Sequence, residues 1–507
     1  WLGTEEAQPV SKEDSSLNAA HSPIWGLARV IDLEYPEIRC TCIDMETGNR
    51  QPSTVNRQPK TVNRKPSTVN LFEDIRYSDQ EKQIAWRKGV RYAARLRQMN
   101  LPIPEKPFPI NKEGSYLITG GSGALGIRLA RWLAEKGAKH LILISRKLSE
   151  ASETLISEME TIGVRVEARR ADITNYEEMS DLFDRDRISN IKGIFHLAGV
   201  LDDGILIQQD RTKFERVMAP KLEGAWNLHL LTRKRSLDFF IMYSSAASVL
   251  GSSAQGNYAA ANAFLDALAH YRRKLGLPGT SINWGPWDEA GMAAELTSSA
   301  RRRLSDRGLL PIPPEQGMMM LEDIMGSNEP QPSVISVEWS KYFDQFSKDG
   351  IPTLLADMAG KRQKKDLIRK SSLMIALQKA VPEKRSKMLS DLVQKAAIRV
   401  SGSEQAPKMD VELMDQGFDS LMGVELRNQL SKELNIPLSS TMIFNYPTLN
   451  EIVQYLETKI SSEDNGQQTT DNGQQITDNR QRTILEDQLE ELSEEEMAEA
   501  LAKKLEI

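Results

Sequence analysis

Cysteine, histidine and long apolar runs are what this chain has least of. Two cysteines and five histidines occur in 507 residues, which leaves no disulfide framework and little material for a thiol enzyme. Cys40 and Cys42 alternate with Arg39, Thr41 and Ile43 as strand residues do. With no histidine nearby they read as neighbours on one strand face, and no metal is expected. No run reaches the roughly 18 apolar residues of a membrane span, and the start lacks the basic-then-apolar order of a signal peptide. Charge of one sign is missing too: a net charge of -6 gives no general attraction to nucleic acid or to an anionic membrane. The expectation is a soluble, cytoplasmic protein with neither as a partner. The chain opens at Trp1 without a methionine, which reads as the C-terminal part of something longer. A hydrophobic content of 40% and a charged content of 27% are ordinary for a globular protein, and the length suggests about three domains.

What is present is organised around Thr119-Gly120-Gly121-Ser122-Gly123-Ala124-Leu125-Gly126. Tyr116 to Thr119 is an apolar run of strand length, and Ile127 to Glu135 carries apolar residues at helical spacing. Gly121-x-Gly123-x-x-Gly126 thus lies between a strand and a helix, where a dinucleotide loop belongs. The first glycine permits the turn, the second admits a pyrophosphate, and the third lets helix and strand pack closely. A plain glycine-rich turn is the alternative. From Tyr116 onward strands alternate with helices: Tyr116 to Thr119, Leu141 to Ser145, Val164 to Arg169, Gly193 to Leu197, Phe239 to Ser244, Thr280 to Trp284 and Val334 to Val337. Seven such strands predict an α/β fold, a Rossmann-type doubly wound parallel sheet over 111–345.

Around this domain, 1–110 reads as a truncated α/β structural subdomain with a helix at Pro23 to Val30, a strand at Ile38 to Asp44 and an amphipathic helix at Glu81 to Met99. A seven-residue repeat from Asn49 to Val69 offers no apolar stripe and reads as a basic surface insertion over 49–70. A linker with a basic cluster from Lys361 to Lys370 occupies 346–382, and a small helical domain follows over 383–460. A second, polar heptad repeat from Asp464 reads as a flexible tether over 461–482. The tail, 483–507, is acidic and amphipathic; its last helix is expected from Ser493, where Ser493 and Glu496 have capping-box spacing. So short a helix needs a partner.

The second strand ends in Ser145-Arg146-Lys147, whose charge suits a 2′-phosphate and so favours NADPH over NADH; solvating a loop is the other role open to Arg146. Asp172, after the third strand, is placed to accept from an adenine amino group or to cap its own turn. Beyond the fifth strand, Tyr258 and Asn262 share a helix face.

These residues resemble the short-chain dehydrogenase/reductase superfamily, in which a serine lies thirteen positions before a catalytic tyrosine, as Ser245 does before Tyr258. Asn262 stands where single-domain members carry lysine. The ketoreductase domains of modular polyketide synthases show the same exchange, with the lysine supplied from an earlier helix, here Lys221 in Val217 to Gly224. His196 to Asp203, Gln255 to Asp266 and Asn283 to Trp287 extend the likeness. It implies Tyr258 as general acid, Lys221 lowering its pKa, Ser245 holding the carbonyl oxygen and Asn262 orienting Lys221 or a water. Ala198 and Gly199 join the glycine loop, Ser145, Arg146 and Asp172 around the cofactor. Leu201-Asp202-Asp203, with Leu250 where the opposite class has tryptophan, implies a D-configured β-hydroxyl. Ala260 in place of proline implies a non-epimerising enzyme, and Glu289 to Leu309 a mobile lid.

Gly417-Phe418-Asp419-Ser420-Leu421, Glu425-Leu426-Arg427 and Ile443 to Thr448 resemble the acyl carrier domains of the same synthases. The likeness implies a small four-helix carrier domain over 383–460 whose Ser420, exposed at a helix start, receives 4′-phosphopantetheine from a phosphopantetheinyl transferase. A flexible arm makes delivery of a carrier-tethered β-ketoacyl substrate intramolecular. The tail resembles docking segments, so it is expected to bind a downstream synthase subunit or to form a homodimer. An upstream ketosynthase and acyltransferase of the same subunit are the further implied partners. Two other readings stay open: a reductase of diffusible ketones, and an inactive carrier and docking scaffold.

Overall fold

The computed structural model describes residues 1–11, 17–46, 74–75, 79–100, 110–184, 190–288, 298–327, 329–344, 346, 351–359, 373–374, 376–402, 406–439 and 441–469. The first heptad repeat, the basic cluster 361–370 and the tail helix lie outside these residues.

A small sheet comes first. Its strands are β1 (Leu2–Glu5), β2 (Cys42–Met45), β3 (Gln83–Arg87) and β4 (Val90–Ala93), in that order, with the β3–β4 pair antiparallel. The stretch expected as a helix from Glu81 is therefore a hairpin. Apolar residues at near-helical intervals fit either element, and Lys88-Gly89, both at positive φ, make a turn that a helix does not tolerate. Asp44 is fully buried and ties the sheet to its loops. It accepts from the Thr4 hydroxyl at 2.6 Å and the Ala7 amide at 2.8 Å, and pairs with Arg87. The free Cys40 and Cys42 sit with Ala7, Trp25 and Ala28 in one apolar cluster.

The large sheet holds β5 (Ser115–Thr119), β6 (His140–Ser145), β7 (Arg165–Arg170), β8 (Ile191–His196), β9 (Phe239–Ser245) and β10 (Thr280–Trp284). Three two-residue strands follow, β11 (Leu309–Leu310), β12 (Ser333–Val334) and β13 (Ser336–Val337). The seven-stranded order is β12-β10-β9-β8-β5-β6-β7, parallel throughout. All strands of the expected sheet are present. The last divides at Ile335: β12 joins the sheet, whereas β13 pairs antiparallel with β11. The order reverses between β5 and β8, so a crevice opens at the carboxyl ends of these two strands. Apolar clusters cover both faces, one built on Leu129, Leu133, Leu141 and Leu143, the other on Ile142, Ile144, Phe240 and Leu268.

The helix Pro23–Glu34 seats the small subdomain on the helix Gly256–Lys274. A Cβ on Gly26 would lie 2.2 Å from the Ala259 carbonyl oxygen, so the two backbones touch. The large-sheet unit continues past the last strand. Leu355 and Met358 pack with Tyr342 and Phe343, and the Leu96 amide donates to the Leu354 carbonyl at 2.7 Å.

The helices Pro382–Ser401, Ser420–Leu434, Met442–Asn445 and Leu449–Thr469 enclose a separate core of Leu389, Val393, Leu426, Leu430, Ile452 and Leu456. The closing helix extends to Thr469 and so includes Asp464 to Thr469 of the repeat expected as a tether. No helix among the described residues is long and apolar enough to cross a membrane. Gly26→Ala should cost about 1–3 kcal/mol through overpacking and lower the midpoint of thermal unfolding; an unchanged midpoint would show that the two helices do not meet this closely.

Candidate active site

A cavity of about 1280 Å³ opens over the crevice. One wall is the glycine loop. Gly120 has φ +68°, a conformation costly to other residues, and turns the chain out of β5. A Cβ on Gly126 would come within 2.6 Å of the Gly120 carbonyl, so only glycine lets the following helix pack down. Gly123 faces the cavity, and its nearest obstacle to a Cβ is 3.3 Å away. The loop is held from behind: the Ser122 amide donates to the Ser145 hydroxyl at 3.0 Å, and the Ser149 hydroxyl donates to the Ser122 carbonyl at 3.0 Å. The N-terminus of the helix Ala124–Glu135 points into this wall, a ready site for phosphate.

Of the residues expected at the cofactor, Gly120, Ser122, Gly123, Leu125, Gly126, Ser145, Arg146, Asp172, Ala198 and Gly199 line the cavity. Thr119 and Gly121 do not. Thr119 is fully buried below the loop, within 2.8 Å of His196 Nδ1, and Gly121 packs against Leu143. Both shape the loop from beneath. Arg146 is exposed on the wall. Asp172 accepts from the Thr174 amide at 3.0 Å and the Thr174 hydroxyl at 2.8 Å, so its Oδ1 caps its own turn. An open cradle with a helix N-terminus at its base and a guanidinium on its rim fits a dinucleotide.

The opposite wall carries Ser245, Tyr258 and Lys221, brought together from β9, the helix Gly256–Lys274 and the helix Arg211–Thr232. Their burial sets their chemistry. Burial pushes the Tyr258 phenol up to about 12, against hydrogen bonding from Asn262 and Ser245, which favours the phenolate. Burial lowers Lys221 to about 8, opposed by the negative charge of Asp266. Lys221 Nζ donates to the Tyr243 carbonyl at 2.9 Å and lies 5.6 Å from the centre of the Tyr258 ring. The groups that pull the phenol down here are Asn262 and Ser245, and desolvation outweighs them. Tyr258 is a protonated phenol at neutral pH, the form that donates.

Asn262 is fully buried behind Tyr258 rather than on the cavity wall. Its Nδ2 donates to the Tyr258 carbonyl at 2.8 Å, one turn back along the helix, while its Oδ1 is buried without a protein partner. It positions the tyrosine turn.

A group that the sequence reading passed over is Asp266. Its carboxylate accepts from the Ser248 and Ser281 hydroxyls at 2.6 Å each and from Asn283 Nδ2 at 2.8 Å. This network braces the segment that bears Ser245 and supplies a negative charge that acts on Lys221. An aspartate in the apolar run Phe264-Leu265-Asp266-Ala267-Leu268 was the available signal, since such a position is buried and its charge must be satisfied.

The loop Leu201-Asp202-Asp203 forms part of the rim. Asp202 pairs with Arg216 at 3.2 Å, and Asp203 accepts from Gln255 Nε2 at 3.0 Å. Of the stretch expected as a lid, the described part includes the helix Ser298–Asp306 and β11; Leu304, Arg307 and Leu309 close the cavity from above. Ser420 begins its helix, as expected, with Asp419 as N-cap accepting from the Met422 amide at 2.7 Å. It is half-buried rather than exposed, because its hydroxyl accepts from Gln208 Nε2 at 2.6 Å on the surface of the sheet domain.

The comparisons with known proteins follow the same division. Residues 114–289 match the KR domain family, and residues 391–456 match the family of phosphopantetheine attachment sites. Polyketide synthase GfsB of Streptomyces halstedii is 31% identical over 91% of this chain and 8% of its own length. Erythronolide synthase EryA2 of Saccharopolyspora erythraea is 33% identical over 74% of this chain and 11% of its own. The chain therefore spans a small part of these curated relatives. Among solved structures, A-type ketoreductases from a modular polyketide synthase superpose with a TM-score of 0.64 at 32% identity, covering 70% of this chain and 73% of theirs. A C2-type ketoreductase from a modular polyketide synthase gives 0.62 at 27%, covering 71% and 74%. A doubly wound sheet with a glycine-loop crevice, joined to a helical unit that presents Ser420, together with these matches, places the chain in the modular type I polyketide synthase family, with a ketoreductase domain and an acyl carrier domain.

Proposed function

We propose that the chain reduces a β-ketoacyl thioester, tethered through 4′-phosphopantetheine to Ser420, to the β-hydroxyacyl thioester, with NADPH as reductant. The observation that carries this reading is the convergence of Tyr258, Ser245 and Lys221 on one cavity whose far wall is the glycine loop. The glycine loop and Arg146 would hold the dinucleotide, which when bound supplies the hydride. The remaining chemistry belongs to the chain. Ser245 donates to the ketone oxygen, and Tyr258 gives that oxygen its proton as negative charge develops there. Lys221 is the buried cation beside the phenol and favours the charge left on it. The Asp266 network fixes the strand end that carries Ser245.

The same reading makes the product D-configured and non-epimerised, on the strength of Leu201 to Asp203, Leu250 and Ala260. The similar solved structures bear titles of more than one ketoreductase type, so this assignment rests on the local residues. A phosphopantetheinyl transferase, upstream ketosynthase and acyltransferase domains and a downstream subunit are the proposed partners, in the cytoplasm.

Three outcomes test it. Incubation with coenzyme A and a phosphopantetheinyl transferase should add one arm to the protein, seen as an intact-mass gain lost in Ser420→Ala; no gain would remove the carrier assignment. Tyr258→Phe should lower NADPH consumption with a β-ketoacyl thioester by roughly 10²-fold or more. Activity absent from the unmutated protein would favour the scaffold reading, and small-ketone turnover in a protein that gains no arm would favour the free reductase. Arg146→Ala should reduce the preference for NADPH over NADH by about 10- to 100-fold, the worth of one charge-assisted bond.

Lys221→Met separates activity from stability. A lysine held at about 8 instead of 10.5 penalises folding by on the order of 3 kcal/mol. That cost is complete below pH 8, where the amine is charged in both states, and vanishes as pH rises toward 10.5, where it is neutral in both. The variant should lose activity yet melt no lower than the parent at pH 7, with its relative advantage shrinking between pH 8 and 10.5. A clearly lower melting temperature at pH 7 would contradict the burial cost.

A further inference from the structure

The helix Ser420–Leu434 has two working faces. Leu426, Leu430 and Leu434 point into the carrier core. Ser420 and Leu421, with Val424 and Arg427 at the next two turns, point away from it and meet the reductase. Val424 and Leu421 pack with Ile205 and Ala254, and Ser420 accepts from Gln208. Arg427 is only 2% exposed, with Nη2 donating to the Glu34 carbonyl at the end of the helix Pro23–Glu34. Beside them Glu425 pairs with Arg307 at 2.6 Å.

The receiving surface is built by one side chain. Glu34 is 2% exposed, and its two carboxylate oxygens accept from the Ala254 amide at 2.6 Å and the Leu206 amide at 2.7 Å. It clamps together the two loops, 204–208 and 251–255, whose side chains touch the carrier, and the same residue's carbonyl receives Arg427. The second loop also frames the site: Ser252 and Gln255 line the cavity, as does Asp203 just before the first loop, and so do Leu421 and Glu425 from the carrier side. One cavity therefore runs from the residue next to Ser420 to Tyr258.

We propose that the Leu421, Val424 and Arg427 face is the surface by which the carrier docks on the reductase of its own chain to deliver its arm, and that Glu34 is the positioning residue that builds the dock. The small N-terminal subdomain thereby gains a role in delivery. The proposal rests on the tethered-substrate reading above. Docking half-buries Ser420, so the carrier must release this face to be modified.

The test uses the full chain, carrying the phosphopantetheine arm and a β-ketoacyl group. Single-turnover NADPH oxidation by the tethered substrate is compared with steady-state reduction of a diffusible β-ketoacyl thioester. Arg427→Glu should slow the tethered reaction at least tenfold and leave kcat/KM for the diffusible thioester within twofold; Val424→Asp should show the same split, and both should still accept the arm by intact mass. Equal loss for both substrates would overturn the proposal, since Arg427 would then merely support the fold. No loss for either would overturn it as well. Amide exchange reads the contact without chemistry: residues 204–208 and 421–424 should exchange several-fold faster in Arg427→Glu. Unchanged exchange overturns the docking even if the reductase is active, whereas faster exchange in a protein that reduces neither substrate supports the dock and refutes the reductase reading alone.

Discussion

An ammonium group buried beside a phenol is the constraint from which the site follows. Lys221 is 2% exposed, and a buried cation needs compensation close by. The Tyr243 carbonyl gives it a hydrogen bond, and Asp266 gives it a counter-charge. Asp266 is itself sealed in and requires Ser248, Ser281 and Asn283 as donors. These come from the segment after β9 and from β10, so satisfying one lysine organises two strand ends and the tyrosine helix. The site charges stability for this arrangement, a common feature of preorganised catalytic groups.

The sheet reversal between β5 and β8 places that cluster opposite the glycine loop. On one side stand the glycine-loop backbone and a helix N-terminus; on the other, Ser245, Tyr258 and Lys221. The carrier lies at its mouth, with Leu421 and Glu425 in the wall. Ser420 meets Gln208 at the same edge.

The small sheet contributes no residue to the crevice. Its influence passes through the helix Pro23–Glu34, whose backbone touches Ala259 at Gly26 and whose last residue ties Leu206 to Ala254. The small subdomain thus sets the loops beside the candidate site. Separations of 172 and 220 residues along the chain explain why no local pattern announces this.

Local pattern determined a good deal. The strands of the parallel sheet, the glycine loop, the Ser245 and Tyr258 spacing and the carrier motif are short-range features, because period, turn chemistry and helix starts are encoded within a few residues. It failed at Glu81 to Met99, where apolar spacing fits helix or hairpin and pairing with β2 decides. Tertiary structure alone decided the rest. It showed that Thr119 and Gly121 lie beneath the loop, that Asn262 stands behind the tyrosine, and that desolvation drives the Tyr258 phenol up despite its neighbours. It also showed that Glu34 and Arg427, 393 residues apart, meet. Burial and charge compensation depend on what surrounds a side chain in space, and that is set only when distant segments pack.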